Sequence, residues 1–123
     1  MRIRLSDHQA GILLAATLMN WGYPFHFTRR CVFPSREQEI IDAAEERLIG
    51  RRRENHEQGT PGPRQIEFSA EEAQLFAKLL EVCLAECGHN ETEIHLQLWA
   101  DTEDEVCALT DQLRRMADPK YPP

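Results

Sequence analysis

No apolar run in this chain approaches the length that crosses a bilayer; the longest candidate, Ile12 to Met19, is far too short. The start, MRIRLSDHQ, has no apolar core followed by a small-residue cleavage site, so it does not read as a secretory signal. These absences set the expectation of a cytoplasmic protein with no membrane partner. In a reducing compartment Cys31, Cys83, Cys87 and Cys107 read as free thiols rather than bridges. The Cys-x-x-Cys knuckle of small zinc sites is missing, and so is EF-hand spacing. A dominant basic field is also missing, which weighs against nucleic acid. No motif specifies a reaction or a cofactor, so none is expected.

What is present suits one domain. The 123 residues lie within the usual single-domain range, and an apolar fraction of 41% can supply its core. The net charge of −7 is uneven: residues 1–65 carry +2 and residues 66–123 carry −9. The acidic half would repel anionic membranes and nucleic acid and favour a basic or neutral protein surface. The opposed halves could also attract each other, within one chain or between copies.

The stretch Gln65 to Gly88 organises the reading. Ile66 and Phe68 alternate into a Ser69 cap, with Glu72 completing a capping box. Ala73, Phe76, Leu80, Cys83, Leu84 and Cys87 then recur at helical spacing until Gly88, which takes the C′ role. The N-terminus shows the same order: Ile3 and Leu5, the Ser6–Gln9 box, then Ile12, Leu13, Ala16 and Met19. That first helix is apolar over much of its circumference, which marks a central helix or one used in an interface. Ser35 and Gln38 suggest a third box, opening a helix on Ile40, Ile41, Ala44, Leu48 and Ile49. Thr102 and Glu105 suggest a fourth, before Val106, Leu109, Leu113 and Met116.

Two segments read as extended. Tyr23 to Pro34 holds Phe25, Phe27, Cys31 and Phe33 at one parity, and Glu93 to Trp99 alternates with Ile94, Leu96 and Leu98 on one side. The expected class is therefore α+β, mainly helical. Four helices with short strands form two tandem strand-helix-strand-helix repeats that share one core. Repeat 1 covers about 2–53, a Gly/Pro-rich linker 54–64, repeat 2 about 65–117, and a frayed tail 118–123, all within one domain 1–123.

Residues with possible chemistry are few. Cys83 and Cys87 stand one helical turn apart, with His89 and His95 following, and thiolate and imidazole are zinc's preferred ligands. Both cysteines also fit the buried stripe, where a free thiol behaves as a small hydrophobe. Cys31 follows Arg29 and Arg30, cations that could lower its pKa, yet it shares a parity with two phenylalanines and fits a core. The Cys-x-x-x-x-Arg spacing to Arg36 is one residue short of a cysteine-phosphatase loop and lacks its glycines. Arg51, Arg52 and Arg53 could meet phosphates, or simply complement a helix C-terminus. The run Asp101, Glu103, Asp104, Glu105 suits a helix N-terminus for the same dipole reason. His8, His56 and His89 read as surface residues. Trp21, Tyr23 and Phe25 are candidates for anchoring a partner.

The expected function is a small acidic, non-catalytic interaction or regulatory module that binds another protein or forms a homodimer. The alternative is a small thiol- or zinc-dependent enzyme built on Cys31 or on Cys83, Cys87 and His89. A weaker alternative is a nucleic-acid adaptor acting through Arg51 to Arg53.

Overall fold

The computed structural model describes residues 2–20, 33–58 and 64–117, with side chains for 5–20, 33–50 and 68–117. The chain forms a helical bundle. Strand β1 (Arg2–Leu5) leads into α1 (Asp7–Asn20) and α2 (Ser35–Gln58). Strand β2 (Arg64–Glu67) leads into α3 (Ala70–Glu86), α4 (Glu91–Leu98) and α5 (Glu103–Ala117). The two four-residue strands pair antiparallel with each other, Ile3 opposite Ile66, and are the only extended elements among the described residues.

The expected α+β class with tandem strand-helix-strand-helix repeats is therefore wrong. The decisive segment is Glu93 to Trp99, expected as a strand and found as helix α4. Ile94 and Leu98 are fully buried there and Gln97 is 4% exposed, whereas Leu96 is 53% exposed. That is the i, i+3, i+4 spacing of a helix, not the period of two. Asn90 starts the helix by accepting the Glu93 N–H at 3.1 Å. The second half thus runs strand, helix, helix, helix, and the described chain holds five helices rather than four.

The expected linker also moves. Glu54 to Gln58 belong to α2, because no proline falls within the helix and no glycine follows Gly50 until Gly59. The extended reading of Tyr23 to Pro34 falls mostly on residues outside the described ones, as does the tail 118–123.

The caps explain where the helices begin. Ser6 and Gln9 form a reciprocal box, each backbone N–H meeting the other's side chain at 3.0 Å. Ser69 and Glu72 do the same. The third box does not form. The Pro34 carbonyl accepts the Gln38 N–H at 3.0 Å, so the helix begins one residue earlier than a Ser35 cap allows. Gln38 instead bonds Asn20 and Asp42, both at 2.9 Å. At the end of α3, Gly88 takes φ +61; its N–H reaches the Ala85 carbonyl and the next N–H reaches Leu84. This is a Schellman closure, which favours glycine because a Cβ is disfavoured at that φ.

Helix α1 is the centre. It packs on α2, α3 and α4, so most of its apolar surface is covered within the chain, with Leu14 and Leu18 half-buried. Helix α3 lies along α5. Phe68 and Phe76 are the largest fully buried side chains, with ring centroids 5.4 Å apart. Burying each contributes about 1.5–3 kcal/mol. Over Phe68 lies the Arg47 guanidinium, which also pairs with Glu72, while Arg36 pairs with Glu71 at 3.3 Å. The opposed charges of the two halves thus meet inside one chain.

Candidate functional site

Helix α4 and the turn after it build one corner of the molecule. Trp99 ends the helix at φ 58, in the left-handed region. That conformation costs a residue with a side chain about 1–2 kcal/mol. The reversal buries Ala100, exposes Asp101 and starts α5 at once. Thr102 Oγ1 accepts the Glu105 N–H at 3.2 Å, and Glu105 Oε2 accepts the Asp101 N–H at 2.9 Å. The box expected at Thr102 is therefore offset: the glutamate reaches one residue further back.

Two faces of this corner differ in chemistry. One carries Leu96, with Trp99 36% exposed beside it in sequence. The other is the acidic start of α5, Glu103, Asp104 and Glu105. Imidazoles reach that acidic end from elsewhere in the chain. His8, in the first turn of α1, places Nε2 2.6 Å from Glu105 Oε1 and 3.9 Å from Asp101 Oδ2. His89, in the turn after α3, pairs with Glu103.

The three described thiols favour their protonated form. Cys83 is buried and donates to the Ala16 carbonyl at 3.8 Å; burial pushes its pKa far above the usual thiol range, with Cys87 and Glu86 adding to the shift. Burial, then Glu93 and Glu86, push Cys87 up to about 11. Cys107 is exposed on α5, yet desolvation and the carboxylates Glu103, Asp104 and Asp111 raise its pKa too. A raised pKa leaves less thiolate, so none of the three is activated as a nucleophile.

The sequence candidates are not gathered into one place. Cys83 and Cys87 point into the core, His89 faces Glu103, and His95 Nδ1 lies 3.3 Å from the Ala100 carbonyl. Arg51, Arg52 and Arg53 belong to the later turns of α2, and their side chains are outside the described set. Trp21, Tyr23, Phe25 and Cys31 also fall outside the described residues.

Sequence reasoning missed two features. Leu96 was assigned to one side of a strand with Ile94 and Leu98, although a helical projection at about 100° per residue sets it opposite them. The grouping of His8 with Asp101 and Glu105 left no sequence signal, because the residues come from opposite ends of the chain. No protein-family model matches the chain, and neither does any curated protein or solved structure at a significant level. No helix among the described residues is long and apolar enough to cross a membrane.

Proposed function

We propose that this chain is a small acidic protein-binding module and that the α4–α5 corner is its docking surface. The observation that carries the reading is Leu96, a large aliphatic side chain 53% exposed on a helix that had inner positions for its other aliphatics. Exposed carboxylates lie near it in sequence: Glu91 on the same helix, then Asp101 and Asp104 past the turn. An exposed apolar anchor, with charge of one sign on the adjoining turn and helix, suits a docking patch. The acidic start of α5 favours a basic partner, both in encounter rate and in register.

A different protein suits this surface better than a second copy. Two copies would bring like charge together, each carrying −7. Three of the four arginines with described side chains, Arg36, Arg47 and Arg114, already pair with Glu71, Glu72 and Glu81 of the same chain, while the fourth, Arg115, is exposed.

The test is capture from lysate of the native cell on immobilised wild-type protein and on Leu96→Asp, with sedimentation velocity on the purified chain. The expected result is a basic protein retained by wild type and lost from the variant, and a monomer in sedimentation. The same captured set on both surfaces would refute the assignment of the corner.

A further inference from the structure

Among the described residues, one trio of metal-ligating side chains brings a donor atom from each member within 4.8 Å of the others: His8, Asp101 and Glu105. We propose that this trio binds a divalent transition-metal ion, with zinc as the representative case.

The donor set argues the class of ion. One imidazole nitrogen and two carboxylate oxygens suit zinc and its neighbours, whereas calcium and magnesium take oxygen alone. Two carboxylates balance a dipositive ion. Three protein ligands leave the remaining coordination positions to water, the open arrangement of exchangeable sites. The spacing argues the fit. Bonds of about 2.0–2.2 Å place neighbouring donors roughly 3–3.5 Å apart. His8 Nε2 sits 2.6 Å from Glu105 Oε1 and 3.9 Å from Asp101 Oδ2, so the first pair must open and the second close, each by less than about an ångström. His8 and Asp101 lie on the surface and can make that adjustment.

Orientation argues against a chance meeting of surface charges. Glu105 is about three-quarters buried, and its Oε2 is held by the Asp101 N–H at 2.9 Å, so Oε1 is the oxygen turned toward His8. The Glu105 backbone is itself fixed by Thr102 at 3.2 Å. Partners outside the ligand set orient ligands in this way in established metal sites. The ion takes the Nε2 lone pair of the neutral ring, whose single hydrogen then sits on Nδ1, so the Nε2 contact to Glu105 is replaced by two bonds to the metal. Because the ligands come from α1 and from the start of α5, the ion ties the two ends of the chain together. It should therefore stabilise the fold in proportion to its occupancy, about a hundredfold in the folded-to-unfolded ratio at a free concentration of 100 Kd.

The test is titration of the full chain with ZnCl2 by calorimetry, and with CoCl2 by visible absorption, on wild type, His8→Ala, Glu105→Gln and Cys107→Ser. Circular dichroism checks each fold. One ion per chain is expected, with affinity at least about tenfold weaker in His8→Ala and Glu105→Gln and unchanged in Cys107→Ser. On wild type alone, the His8 ring resonances should shift on ZnCl2 addition and the melting temperature should rise. Equal affinity in all four proteins, or His8 resonances that stay in place at millimolar ZnCl2, would overturn the site.

Discussion

Helices α3 and α4 are consecutive, and each opens on a capping side chain, Ser69 for one and Asn90 for the other. They differ in what they leave outside. Every leucine and phenylalanine of α3 is buried, in a helix of 17 residues packed on α1, α2 and α5. Helix α4 has eight residues and buries Ile94, Leu98 and the polar Gln97, while Leu96 faces out. Gln97 donates to Glu93 at 2.6 Å, yet its carbonyl oxygen finds no hydrogen-bond partner among the described residues. A buried oxygen left so costs about 1–3 kcal/mol. One helix is spent on the core. The other gives up apolar burial and polar satisfaction, and those concessions fall beside the acidic corner proposed to dock a partner.

The comparison can be broken first at its core end. Phe76→Ala should cost about 3–5 kcal/mol of unfolding free energy, measured by urea denaturation. Within α4, Leu98→Ala should cost about 2–5 kcal/mol by the same measurement, because Leu98 is fully buried. A loss under about 0.5 kcal/mol at Leu98, in the range of surface substitutions, would mean that α4 does not pack as described.

The contact between the two helices has its own pH signature. Cys87, just past the end of α3, has its pKa raised from 9.0 to about 11, first by burial and then by Glu93 of α4 and Glu86. The folded state therefore prefers the neutral thiol. Its contribution is fully present below about pH 9 and is lost as pH rises toward 11. Urea midpoints measured across that window should fall with pH, and less steeply in Cys87→Ala. Equal slopes in the two proteins would show that the thiol is not held neutral there.

The same pair of helices shows how much the sequence could reveal. Helix α3 was legible because 17 residues carry its stripe through more than four turns, from the Ser69 box to Gly88. Its closing glycine turned out to hold φ +61, as its position after the last apolar residue implied. Helix α4 was not legible, since over eight residues Ile94, Leu96 and Leu98 alternate cleanly, while only Ile94 and Leu98 mark a helical stripe. Only the burial of Gln97 and the exposure of Leu96 separate the two, and neither is written in residue type. Arg36 entered the sequence reading only through its spacing from Cys31, yet Arg36 and Arg47 hold Glu71 and Glu72 across the halves, a pairing no local pattern encodes. The His8 trio escaped for the same reason. What sequence carries well is local and long; what it carried poorly here was short or brought together only by folding.

Leu96 is where fold and function meet, so Leu96→Asp tests both. The account predicts an unfolding free energy within about 0.5 kcal/mol of wild type, read from urea denaturation, together with loss of the captured basic protein. A stability loss as large as that of Leu98→Ala would place Leu96 inside and restore the alternating reading. Unchanged stability with undiminished capture would leave the helix standing and contradict the docking surface.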